Sequence, residues 1–228
     1  DEMSLHFRIV IPARYGSTRL PGKPLVVIRG KPLVRHVYDY AVESGATEVV
    51  IATDNEDIAN VARAFGADVQ MTSSSHLCGT DRVAEAAAAR KWKHDHIVVN
   101  LQCDELWTPP ANIVQLAGLA ERSHMATLCA PLSEADSTSV RVAVEDGRAI
   151  YFSRAPLAGA CRHIGMYGYP VATLRRFAAY PASKLEQAER LEQLRALSVG
   201  ISIACEEAMQ PPGFAIDTPE DLRRAEEA

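Results

Sequence analysis

Short apolar runs alternate with amphipathic stretches through the first hundred residues. Phe7 to Pro12 (FRIVIP) is continuously apolar, the pattern of a strand covered on both faces. A polar loop follows from Ala13 to Lys23. From Pro32 to Ser44, the residues Leu33, Val37, Tyr38 and Ala41 recur near helical spacing. Pro32 suits the first turn of that helix and Gly45 its C-terminal cap. Glu48 to Thr53 (EVVIAT) predicts a second strand. Asn55 to Phe65 predicts a helix with Ile58, Val61, Ala62 and Phe65 on one face and Gly66 behind it. Asp68 to Thr72 reads as a short strand, and Thr80 to Trp92 as an alanine-rich helix that Thr80 is placed to cap. His96 to Leu101 (HIVVNL) is a further buried strand. This alternation predicts an α/β fold with a mainly parallel sheet flanked by helices. Ligands of such sheets gather beyond the carboxyl ends of the strands, so the loops after Pro12, Thr53 and Leu101 are the places to look for chemistry.

The second half has a different rhythm. Met125 to Leu132, Arg141 to Glu145, Ala149 to Arg154 and His163 to Tyr169 read as strands, with Asp146-Gly147 as a hairpin turn. Lys184 to Leu197 is amphipathic and helical, Ile201 to Cys205 a late strand, and Thr218 to Ala228 a closing helix. The expected organisation is one domain over residues 1–228, with a smaller antiparallel lobe inserted at about residues 125–200.

Composition removes several classes. The 228 residues are 47% hydrophobic and 23% charged, too apolar for a disordered chain and enough for a core without disulfide or metal staples. No apolar run approaches the roughly 20 residues of a membrane helix. The polar start, Asp1 to Phe7, does not read as a secretory signal, and Asp1 and Glu2 ahead of Met3 read as a remnant. A net charge of −5 and 6% aromatics speak against a nucleic-acid surface. The five cysteines, Cys78, Cys103, Cys129, Cys161 and Cys205, are odd in number and show no zinc spacing, which fits free thiols in a cytoplasmic protein.

The densest chemistry lies in Pro12-Ala13-Arg14-Tyr15-Gly16-Ser17-Thr18-Arg19-Leu20-Pro21-Gly22-Lys23, directly after the first strand. Glycines allow close backbone approach to an anion, and Arg and Lys supply a planar fork and a mobile point charge for phosphate oxygens. The string is neither GxxxxGK[ST] nor GxGxxG, so a solvated, turn-rich loop remains open at this point. Asp104 stands just beyond the strand ending at Leu101 and is open to merely capping or solvating that strand end. Asp217 precedes Thr218-Pro219-Glu220-Asp221, a good helix start, and is open to being only a cap.

Taken in order, RIVIPARYGSTRLPGKPL, ATDNEDIANVARAFGADVQMT, Gly79-Thr80-Asp81-Arg82, VNLQCDE, YFSRAP, RHIGMYGY, LEQLR and IDTPEDL resemble the bacterial CMP-Kdo synthetases, a cytidylyltransferase family acting on 3-deoxy-manno-octulosonate. The resemblance spans nearly the whole chain. It implies a nucleotidyltransferase fold with a Rossmann-like sheet, CTP as co-substrate and Mg²⁺ between the partners. It implies a triphosphate-binding loop of Arg14, Ser17, Arg19 and Lys23, cytidine contacts from Arg82 and Gln102, and Asp104 and Asp217 as metal ligands. It assigns catalysis to Arg14, Lys23 and Asp104, and places His163, Tyr167, Glu192 and Gln193 around the acceptor. A homodimer is also implied. Outside the resemblance, Arg82 is open to being an exposed helix-start residue, His163 a core histidine, Tyr167 packing, and Glu192 and Gln193 a solvated helix face.

Three departures cluster around the acceptor. The family's QGDEP reads here as Gln102-Cys103-Asp104-Glu105-Leu106, followed by Trp107, whose indole is expected to narrow the pocket. Only Ala155 to Arg162 separates Arg154 from His163, a stretch commonly much longer. An Asn-Pro-Asn segment is replaced by Asp136-Ser137-Thr138-Ser139, and the following strand's lysine by Arg141. The expectation is transfer of CMP to an anionic acceptor smaller than an eight-carbon sugar acid, such as phosphonoformate, with Arg141, Arg154, Arg162 and His163 as cationic partners. An authentic CMP-Kdo synthetase is the alternative, and a non-catalytic CTP-binding module is the alternative of another class.

Overall fold

The computed structural model describes residues 5–16, 20–133 and 139–228. Strands and helices alternate at first: β1 (Phe7–Ala13), the small hairpin β2 (Val27–Ile28) and β3 (Lys31–Pro32), α1 (Leu33–Glu43), β4 (Glu48–Thr53), α2 (Glu56–Ala64), β5 (Asp68–Met71), α3 (Gly79–Ala89) and β6 (Ile97–Leu101). Then come β7 (Glu105–Leu106), α4 (Pro110–Glu121), β8 (Met125–Ala130), β9 (Arg141–Glu145), β10 (Arg148–Ser153) and β11 (Cys161–Pro170). The chain closes with α5 (Val171–Ala178), α6 (Lys184–Glu189), α7 (Gln193–Ser198), β12 (Ile203–Glu207), β13 (Phe214–Ala215) and α8 (Pro219–Glu227).

Nine strands form one sheet in the order β5-β4-β1-β6-β11-β8-β12-β10-β9. The β5-β4-β1-β6 half is parallel, and Ile9, Val10 and Ile11 at its centre are fully buried, as the unbroken apolar run predicts. β11 runs antiparallel between β6 and β8 and so joins both halves in one sheet. It also pairs with β9, so β11, β8, β12, β10 and β9 curl back on themselves. The fold is α/β, and its second half is mixed: β12 runs parallel to β8 and the other pairings are antiparallel. The β9–β10 hairpin turns at Asp146-Gly147, both with positive φ, as a two-residue hairpin requires.

Two helices have no counterpart in the periodicity reading. In α4, Ile113, Leu116, Ala117 and Ala120 are buried, but Ala111, Val114 and Gly118 on the outer side are small or apolar too, so no polar face marks the helical repeat. α5 is short and starts directly from the end of β11. The helix expected over residues 184–197 is two helices, broken where Arg190 takes a left-handed conformation (φ 56°). The break turns the Glu192 carboxylate onto the start of α3, where it accepts the Thr80 backbone N–H at 3.0 Å. Thr80 therefore does not cap α3. Cys78 is the N-cap residue, without a side-chain cap bond, and a carboxylate from a distant segment satisfies one of the free N–H groups and the helix dipole.

Arg195 of α7 fixes this arrangement. It is 2% exposed, donates to both carboxylate oxygens of Glu186 (2.8 and 2.7 Å) and to Asp81 of α3 (2.9 Å), and lies over the Phe177 ring. Replacing Arg195 by Met leaves two carboxylates without their cation, and we expect urea melts to show a loss of about 3–5 kcal/mol. An unchanged unfolding midpoint would contradict this role.

Candidate active site

Lys23 Nζ donates to Asp104 Oδ2 at 2.8 Å and to Asp217 Oδ1 at 3.0 Å. Three remote segments meet at this ammonium, and each is placed by backbone geometry. β1 and β6 are parallel neighbours, so the loops bearing Lys23 and Asp104 leave the same sheet edge. Gly22, in the left-handed region (φ 66°), turns the chain into the single helical turn that carries Lys23, a conformation that suits glycine. Asp217 arrives through the two-residue pairing of β13 with β7, followed by the Ile216 N–H bonding to the Asp104 carbonyl at 2.9 Å. The α8 capping box is made by Thr218 and Asp221, so the Asp217 side chain is not the cap of that helix. Burial opposes the charge on Lys23, but the two carboxylates outweigh it and raise its pKa above the ordinary value.

Around this point lies a cavity of about 530 Å³. Arg14, Lys23, Arg82, Arg154 and Arg190 bring positive charge to its wall, against Asp104, Asp217, Glu186 and Glu192. Arg82 is 3% exposed, with its guanidinium on Thr72 Oγ1 (2.5 Å) and Asp54 Oδ2 (3.2 Å), so it is a fixed wall residue and not a solvated arginine. Gln102 donates to Asn100, which in turn donates to Tyr169 and Thr80, so a buried amide chain sets its orientation. The donor set suits Mg²⁺, which takes a few carboxylate oxygens and completes its shell from phosphate and water. Among the described residues, no group of three or more His, Cys, Asp or Glu side chains is arranged to hold a metal by itself. Asp104 and Asp217 are thus the pair that would hold such an ion, and the Lys23 ammonium shows that they accept a cation between them.

Residues 8–203 match the sequence profile of the family described as cytidylyltransferase. The chain belongs to the cytidylyltransferase family. It is 47% identical to the 3-deoxy-manno-octulosonate cytidylyltransferase of Thioalkalivibrio sulfidiphilus, over 97% of this chain and 98% of that protein. It is 45% identical to the enzyme of the same name from Alteromonas mediterranea, over 96% and 98% of the two chains. A solved structure described as CMP:2-keto-3-deoxy-manno-octonic acid synthetase complexed with CTP superposes with a TM-score of 0.86, at 38% identity and 98% coverage of both chains. The CMP-Kdo synthetase resemblance of the motifs is thereby shown, and the protein is a CTP-dependent nucleotidyltransferase.

Within this cytidylyltransferase the expected nucleotide residues Arg14, Lys23, Arg82, Gln102, Asp104 and Asp217 share one cavity, with Arg154 and Glu192 of the expected acceptor set. Ser17 and Arg19 lie outside the described residues, as does most of the 136–139 segment. Five expected acceptor residues stand away from that wall. Arg141 is on the surface, donating to the Arg154 carbonyl. Arg162 donates to the Gly213 carbonyl. Gln193 and Tyr167 are buried. His163 is buried against Phe152 and contacts Thr127 Oγ1 at 2.9 Å. Burial, with Arg162 beside it, pushes its imidazole down to about 3, so it is neutral and no cationic partner. Trp107 does not narrow the cavity. Its positive φ (56°) turns the indole onto Phe214 and Arg29.

His76, Cys78, Glu186, Gln187 and Arg190 also line the cavity and were not among the expected site residues. His76 and Cys78 immediately precede Gly79-Thr80-Asp81-Arg82, so proximity to that motif was their one signal. Glu105 is a further omission. It is buried beside Asp104 and accepts the Gly165 N–H at 2.7 Å, and a Cβ on Gly165 would come within 2.4 Å of its oxygen. Burial, reinforced by Asp104, pushes its carboxyl from 4.5 up to about 7. The stability contributed by its neutral form is complete below 4.5 and is lost as pH rises through about 7. The Glu105→Gln variant should therefore gain on the wild type in urea melts between those pH values and level off above them. A pH-independent difference would contradict the assignment.

Proposed function

We propose that this chain is a CMP-Kdo synthetase, transferring CMP from CTP to 3-deoxy-manno-octulosonate with Mg²⁺ and releasing pyrophosphate. The observation that carries this reading is identity of 47% across 97% of the chain to an enzyme of that name, a span that includes the acceptor half as well as the nucleotide half. The smaller-acceptor expectation loses a main support, because Trp107 packs on Phe214 and not in the cavity. The short 155–162 connection and the altered 136–139 segment with Arg141 are the departures left to it, and the alignment of 246 positions is longer than this chain.

In this reading the acceptor hydroxyl oxygen forms a bond to the α-phosphorus while the bond from that phosphorus to the bridging oxygen breaks. The electron pair leaves with pyrophosphate and the hydroxyl proton is released. Such a displacement needs positioning and charge neutralisation more than covalent help. Arg14 and Lys23 hold the triphosphate, with Ser17 and Arg19 assigned to the same loop by resemblance. Asp104 and Asp217 hold Mg²⁺, which supplies charge neutralisation on the reacting phosphates. Arg82 and Gln102 border the cytidine, and Arg154 and Glu192 face the acceptor. A homodimer belongs to the same reading. No helix among the described residues is long and apolar enough to cross a membrane.

The test supplies CTP and Mg²⁺ with 3-deoxy-manno-octulosonate or phosphonoformate and follows pyrophosphate. Release is expected with the sugar acid. Release only with the phosphonate would restore the smaller acceptor. Asp104→Asn should lower kcat about a hundredfold or more while CTP still binds, measured by calorimetry. Full turnover in that variant would remove Asp104 from the reaction.

A further inference from the structure

We propose that Lys23 is a resident counter-cation: it holds Asp104 and Asp217 together in the free enzyme and gives them up when a divalent ion and a triphosphate bind. This rests on the proposed function only in taking those carboxylates as the ion's ligands. Two carboxylates meeting one ammonium at 2.8 and 3.0 Å form a site already neutralised in part from within. The Lys23 side chain is the more buried partner, 15% exposed against 29% and 31% for the carboxylates, so solvent and small ions reach the carboxylates more readily than the ammonium. All three line the same cavity.

The backbone at Lys23 is fixed. Gly22 turns left-handed before it, Pro24 follows it, and the Leu25 N–H bonds back to the Gly22 carbonyl at 2.8 Å. Movement is therefore confined to the four-carbon stem, whose head is a compact and mobile charge. A divalent ion between the same carboxylates is repelled by that head, at a distance where like charges interact strongly outside bulk water. A triphosphate in the cavity offers Lys23 another anion. The ion then binds weakly alone and tightly with nucleotide, and each must strengthen the other equally.

The test is Mn²⁺ binding by electron paramagnetic resonance, without nucleotide or acceptor. Lys23→Met should bind Mn²⁺ on the order of tenfold more tightly than the wild type. Lys23→Gln, which keeps a hydrogen-bond donor but no charge, should show the same gain and serves if the first variant is unfolded. Adding Asp217→Asn to either should abolish the gain. Equal or weaker Mn²⁺ binding in both lysine variants overturns the exchange, even if the wild type makes CMP-Kdo. A gain that survives Asp217→Asn overturns it as well, and removes Asp217 from the ion's ligands.

Discussion

Two aspartates side by side in a half-buried site both stay ionised only where a cation offsets their repulsion. The Asp104–Lys23–Asp217 bridge meets that constraint, and much of the fold serves to deliver its members. Parallel pairing of β1 with β6 brings the lysine loop and Asp104 to one sheet edge. The β7–β13 pairing and the Ile216-to-Asp104 backbone bond bring in Asp217 from near the chain end. In the proposed function the same three charges, freed from one another, serve a metal-assisted transfer from a nucleoside triphosphate. Assembly of the site and its chemistry thus draw on one electrostatic demand.

The α6–α7 segment is the second organiser. Its Arg195 anchors Glu186 and Asp81, and its Glu192 caps the start of α3. Glu186, Arg190 and Glu192 line the cavity around Lys23, while Gln193 and Arg195 are turned inward. The segment therefore does two jobs at once. It supplies part of the cavity wall, and it fixes α3, on which Arg82 stands.

What was legible in the sequence follows from how local each signal is. β1, β4 and β6 announce themselves because strands covered on both faces are unbroken apolar runs. α4 gives no such notice, since Ala111, Val114 and Gly118 on its outer face are themselves small or apolar and leave no polar stripe. The break at Arg190 comes without a glycine or proline, so no local rule marks it. Arg14, Lys23 and Asp104 were readable from their places just beyond strand ends. Asp217 looked like a helix cap and needed the family resemblance to suggest a site. That it meets Lys23 depends on a two-residue strand pairing too short to leave a pattern. Trp107 misled because its size is legible but its left-handed backbone, which turns it away, is not.

The most direct test of this picture is a crystal structure with CTP and Mn²⁺, read by anomalous difference density. The account predicts a manganese peak coordinated by both Asp104 and Asp217, with the Lys23 ammonium moved onto the triphosphate. Manganese bound to the nucleotide elsewhere, with the Asp104–Lys23–Asp217 bridge intact, would contradict it.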